Sequence, residues 1–275
     1  VPELPELEVI KQRLEPLIVG KRIKELKILK PYVLKNYCSD DLNNESVEGF
    51  ARRGKYLELQ LTKHRLYVHL MLHGSIEYVQ RPSKIKRSAT ALLLFDDGAA
   101  IELGERSTQK RMSLYVTARN EVLPRNKGLG VEPLSRGFTI QALTRLLKER
   151  RKQLKPFLCR QSLIAGIGSA YADEILWKAR LSPFKISTSL ELPDIAKLHN
   201  AIVEVLYWAI EQISVSRRLH ERGFLRVHGR KGHPCPRCGQ AIKTVSYAGG
   251  DTFYCPGCQT GGRGLKDRRM SRFYR

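Results

Sequence analysis

Two cysteine pairs toward the end of the chain, Cys235-Pro-Arg-Cys238 and Cys255-Pro-Gly-Cys258, limit what it can fold into more than any other feature. Each knuckle offers two thiolates, and the 16 residues between the pairs suffice for one β-hairpin. Two facing knuckles make a closed tetrahedral four-sulfur site, which suits structural zinc and leaves no open position for catalysis. Ile242–Tyr247, a Gly249-Gly250 turn and Thr252–Tyr254 read as that hairpin. A module of this size (229–262) buries little apolar surface, so the metal has to supply folding free energy. Disulfides or a redox pair are the alternatives, but in a reducing compartment this spacing points to metal. One structural zinc on Cys235, Cys238, Cys255 and Cys258 is expected. Cys38 and Cys159 are left over and read as small buried hydrophobes.

Charge narrows the partner. Lys and Arg total 49 against 27 Asp and Glu, a formal net charge of +22 over 275 residues. Such an excess gathers polyanions around a protein and speeds encounter with them. A merely basic enzyme or an anionic membrane surface would also fit, but Arg237 and Lys243 inside the cysteine module and Arg263 directly after it favour nucleic-acid phosphates. No apolar run approaches bilayer length and the opening residues lack a signal-peptide pattern, so a cytosolic protein without membrane contact is expected.

Leu4, Leu7, Ile10, Leu14 and Leu17 fall at helical steps across 3–19, and Gly20 closes that helix. From Arg22 to about Val116 the chain reads as strands, among them Tyr56–Leu61, Leu66–Met71 and Ala91–Phe95, with turn signals such as Asp96-Asp-Gly98. Two packed sheets are expected. After a linker near Arg119–Gly130 the periodicity turns helical over Thr139–Arg151, Lys155–Gln161, Ala170–Ala179 and Pro193–Ser214. A tight loop, Gly166-Ile-Gly-Ser169, precedes the third of these.

Several ordered blocks then coincide with one family. Pro2-Glu3-Leu-Pro-Glu6, Arg52-Arg-Gly-Lys-Tyr-Leu57, His69-Leu-Met-Leu-His-Gly-Ser75, Gly130-Val-Glu-Pro-Leu134, Leu154-Lys-Pro156, Ala165–Glu174 and the cysteine module occur in its order and spacing. The chain resembles the formamidopyrimidine-DNA glycosylase / endonuclease VIII family over nearly its whole length. The resemblance implies an α+β multidomain fold: an N-terminal catalytic β-sandwich with a leading helix (1–118), a helix–two-turn–helix DNA-binding domain (131–228), a β-hairpin zinc finger (229–262) and a basic tail (263–275). It also implies a monomer acting on double-stranded DNA that carries damaged bases or abasic sites.

The implied chemistry is base excision followed by strand cleavage. An α-amine with a pKa of about 8 is roughly ten per cent free base at neutral pH, far more than an ordinary lysine, so an N-terminal amine can attack C1′. The resemblance makes Pro2 that nucleophile, with Val1 standing at the initiator position and removed. Glu3 becomes the acid/base group at the sugar, and Lys55 a second one. The target nucleotide has to leave the stack, and an apolar wedge, Leu72 with Met71 beside it, fills the gap. Lys155, Ser169 and the loop before it, with Tyr171 in the same block, are expected at the DNA backbone.

Three positions depart from the family. Its Arg-Arg-Phe-Gly wedge gives way to Glu105-Arg-Ser-Thr-Gln-Lys-Arg111, leaving Arg111 as the contact there. Its loop asparagine is Ser169. Its hairpin-tip arginine, which serves the second elimination, is Gly250, leaving Lys243, Arg263 or the basic tail to compensate. A zinc-finger protein that binds damaged or bent DNA without cutting it is the second reading, and an RNA-binding accessory protein the third.

Overall fold

The computed structural model describes residues 2–36, 41–82, 84–121, 123, 127–216, 222–247 and 250–266. Val1, Cys38, Gly249 and residues 267–275 of the expected tail lie outside the described residues. The chain divides into two compact units, Val1–Gly128 and Leu129–Arg275.

The first unit opens with helix α1 (Leu4–Ile18). Glu6 reaches back to accept the Glu3 backbone N–H at 2.9 Å, half of the reciprocal pattern that satisfies a helix start. Leu4, Leu7, Ile10 and Leu14 are buried as their spacing predicts. Leu17 is not: it is 43% exposed, and Ile18, four residues after Leu14, takes the buried place in the last turn.

Among the described residues eight strands follow: β1 (Ile23–Ile28), β2 (Val47–Arg53), β3 (Tyr56–Leu61), β4 (His64–His69), β5 (Gly74–Val79), β6 (Ala89–Phe95), β7 (Ala100–Glu105) and β8 (Ser113–Ala118). They form two antiparallel four-stranded sheets, ordered β1-β6-β7-β5 and β2-β3-β4-β8. The core is mostly aliphatic, with Leu57, Leu61, Val68, Leu93, Ile101 and Leu114 all nearly inaccessible, and Phe50, Tyr67 and Phe95 are buried with them. Strand β4 stops at His69 and does not run to Met71. Met71 adopts a positive φ of 52°, and the Gly74 N–H closes a turn on the Leu70 carbonyl at 2.8 Å. That turn requires glycine at 74, since a Cβ there would meet the Leu70 carbonyl oxygen at 2.3 Å.

The second unit holds α2 (Ile140–Glu149), α3 (Leu154–Leu158), α4 (Ser169–Lys178) and the 24-residue α5 (Leu192–Val215). Thr139 caps α2 by accepting the Ala142 N–H at 3.1 Å. The cysteine module follows as β9 (Lys243–Tyr247), β10 (Gly250–Tyr254) and a single turn, α6 (Pro256–Gln259). Gly250 pairs with Tyr247 and so opens β10; it is not a turn residue. Trp177 of α4 shares one buried cluster with Val227, Cys235, Ile242 and Cys255.

Candidate active site and zinc centre

In the first unit Pro2 and Glu3 lie buried at the start of α1, Glu3 with 4% of its surface exposed. Lys55 occupies a two-residue turn, Gly54-Lys55, closed by the Arg53–Tyr56 pair of β2 and β3. Gly54 takes a φ of 56°, which tight hairpins of this length favour and which costs glycine little. Arg52 fastens this turn to the helix: its Nε donates to Glu8 at 2.8 Å, and its guanidinium also donates to the Gly54 carbonyl at 3.1 Å. The α1 start and the Lys55 turn are thus held by one side chain.

Leu72 stands 41% exposed on the turn between β4 and β5. Met71 beside it is half-buried, its N–H held by His69 Nδ1 at 3.0 Å. Met71 and exposed Arg111 share the lining of a cavity of about 470 Å³ with Lys35, Tyr56, His69, Ser113 and Tyr115. The segment before Arg111 is anchored by buried Glu105, which accepts the N–H groups of Arg111 (2.9 Å) and Met112 (3.2 Å). Burial, joined by a hydrogen bond to Glu105, pushes the Tyr32 phenol up to about 12.

In the second unit the loop before α4 is closed by Gln161. It accepts the Gly166 N–H at 2.8 Å and donates to the carbonyls of Cys159 and Ile167. Ser169 is exposed at the first turn of α4, where phosphate binding is favoured. Tyr171, expected near DNA, is fully buried, with the Arg222 guanidinium 5.5 Å from its ring. It packs the helix and offers no surface for a backbone contact.

Lys155 is 7% exposed and already engaged. Its Nζ lies 2.7 Å from Asp173 Oδ1 and donates to the Asp251 carbonyl at 2.6 Å. Asp173 also meets His228 Nδ1 at 2.8 Å, and His228 packs edge-on against Phe253. The neighbouring Glu174 accepts the N–H groups of Arg226, Val227 and His228; burial outweighs those bonds and holds its carboxyl above the usual range. This network ties α3 and α4 to the hairpin, and sequence reasoning missed it. The available signal was two consecutive carboxylates inside an otherwise apolar helical run, Ala172-Asp-Glu-Ile-Leu-Trp177.

The four cysteine sulfurs lie within 4.8 Å of one another, with Cys235–Cys258 at 3.8 Å and Cys238–Cys255 at 3.3 Å. Four thiolates about 2.3 Å from one centre stand about 3.8 Å apart, so the donor set fits tetrahedral zinc. Burial would raise the Cys235 thiol. Hydrogen bonds from the Arg237 N–H, the Trp177 indole and the Cys238 N–H outweigh it and bring the thiol down to about 6. Arg237, expected against phosphate, instead donates to the Trp177 carbonyl at 2.8 Å at the end of α4. Lys243 and Arg263 are exposed.

Comparison with known proteins follows the same divisions. Residues 1–111 match the formamidopyrimidine-DNA glycosylase N-terminal domain, 129–219 the formamidopyrimidine-DNA glycosylase H2TH domain, and 232–261 the zinc finger found in FPG and IleRS. The formamidopyrimidine-DNA glycosylase of Enterococcus faecalis is 33% identical over 291 residues, covering 98% of this chain and all of the relative. The chain belongs to the formamidopyrimidine-DNA glycosylase family. The Pelotomaculum thermopropionicum member of that family is likewise 33% identical, over 94% of this chain and 99% of its own. Among solved structures, Lactococcus lactis Fpg in complex with abasic-site DNA superposes with a TM-score of 0.86 at 29% identity, covering 94% of this chain and 99% of that one. The same protein bound to N7-benzyl-Fapy-dG DNA gives 0.86 at 30%, over 94% and 100%. The formamidopyrimidine-DNA glycosylase fold is therefore present here, α+β throughout, and its finger carries one structural zinc on the four cysteines. Among the described residues no helix is long and apolar enough to cross a membrane.

Proposed function

We propose that this chain is a bifunctional DNA-repair enzyme that excises damaged bases from double-stranded DNA and then nicks the strand at the resulting site. Pro2 is the nucleophile once Val1 is removed. Its secondary amine attacks C1′ of the damaged nucleotide, the C1′–N bond to the base breaks as the base takes a proton, the C1′–O4′ bond then breaks as O4′ takes a proton, and an iminium links Pro2 to the opened sugar. Loss of a C2′ proton then breaks the bond to the 3′ phosphate, and water releases the amine. Glu3, next in the chain to the nucleophile, is the acid/base group at the sugar, and Lys55 shuttles a proton during base loss or elimination.

The observation that carries this reading is the pairing of the α1 start with the Lys55 turn, both fastened by Arg52 through Glu8 and Gly54, within a chain that matches its relatives end to end. Exposed Leu72, Arg111 and Ser169 support a role at the duplex, the first as wedge, the others at the backbone and opposite strand. The protein acts as a monomer in the cytosol. Incubation with duplexes bearing oxidised purines, oxidised pyrimidines or an abasic site tests the proposal. Base release with a nick on at least one lesion is expected, and binding without any cut would favour a non-catalytic damage-binding protein.

A further inference from the structure

The finger's zinc site is not self-contained. Trp177, on α4 and outside the finger, is 5% exposed, and its indole Nε1–H donates to Cys235 Sγ at 3.3 Å. An indole nitrogen only donates, and a buried donor has to find an acceptor. The sulfur it finds is one of the four zinc donors, itself 3% exposed. The ring cannot swing away. The Arg237 guanidinium lies 4.0 Å from its centroid while bonding the Trp177 carbonyl, and Arg226 lies 5.5 Å from the same ring. Val227, Ile242 and Phe253 complete an apolar sheath around it.

We propose that Trp177 is an outer-sphere residue of the zinc centre, so that helix α4 orients Cys235 and holds negative charge on its sulfur. A zinc ion with four thiolates carries net negative charge. The indole N–H offsets part of that charge in a site largely screened from water, and the two guanidiniums hold the ring that carries it. The finger's grip on its metal thereby depends on being docked to α4. This is a positioning role, exerted through Cys235.

Removal of an outer-shell hydrogen bond commonly weakens metal binding by about 10–100-fold. Trp177→Phe keeps an aromatic ring beside Arg237 and deletes the N–H. Titration of the full-length zinc-loaded protein with a chromophoric chelator should give a zinc Kd about tenfold higher for Trp177→Phe. Tyr207→Phe is the control, because Tyr207 is 52% exposed on α5, lies outside the cluster around Trp177 and should leave the Kd at the native value. A Trp177→Phe value within threefold of native overturns the proposal. Should that variant fail to fold, the native chain decides: with cadmium-113 in the site, the Trp177 indole proton should show scalar coupling to the metal across the N–H···S bond. Absence of that coupling in an assigned spectrum also overturns it.

Discussion

Asp173→Asn tests the buried network that joins the helices to the finger. Asp173 is 1% exposed and Lys155 7%, and their charged atoms lie 2.7 Å apart. Removing one partner of a buried pair leaves the other charge uncompensated, at a cost of about 3–5 kcal/mol. Asparagine keeps an acceptor for His228, and Lys155 keeps the Asp251 carbonyl, so the lower end, about 3 kcal/mol, is expected. Domains are stable by only about 5–15 kcal/mol, so the loss is large. Both tryptophans, Trp177 and Trp208, belong to this unit, so urea unfolding followed by intrinsic fluorescence reads it selectively. Adding Lys155→Met removes the stranded ammonium, and the double variant should recover about 1–2 kcal/mol. A loss below about 1 kcal/mol for Asp173→Asn, or effects that add to within about 0.5 kcal/mol, would refute the reasoning.

Gly250→Arg should be accommodated without cost, since a Cβ at this exposed strand start meets nothing within 4 Å. In a denaturing-gel time course the native protein should accumulate the single-cut, sugar-bearing end, and the variant should trim it further. Affinity for duplex DNA should fall steeply with salt, log K dropping by about 0.9 per phosphate neutralised against log salt; a flat plot would contradict an electrostatic footprint. Tyr32 is protonated in the fold up to about pH 12, against an ordinary tyrosine near 10. The folded state therefore holds a proton that the unfolded chain has lost, and stability falls as pH rises through that window. Spectrophotometric titration should show Tyr32→Phe removing one phenol from the group that titrates last.

Periodicity made much of the fold legible. Tyr56–Leu61 coincides with β3, and the four helical stretches match α2 to α5 with shifts at their ends. The cysteine spacing revealed the metal site because four donors at fixed intervals admit few alternatives. Contacts made by charged residues with distant backbone were not legible. Arg237 reads as a phosphate ligand until the α4 carboxyl end is seen beneath it, and Lys155 reads as a DNA-backbone ligand until Asp173 is seen beside it. Tyr171 lies in a block expected at the DNA backbone, but its own position on α4 turns inward. Sequence gives the residue type; the helix face decides whether a polar group meets water, DNA or a buried partner.

The central claim is that the Pro2 amine forms the covalent intermediate. Borohydride reduction during reaction with an abasic-site duplex, followed by proteolysis and mass mapping of the adduct, tests it most directly. Protein whose intact mass shows Pro2 as the first residue should yield one sugar-bearing peptide modified at the Pro2 nitrogen, and protein retaining Val1 should yield none. An adduct on a lysine, or equal trapping with Val1 in place, would contradict the account.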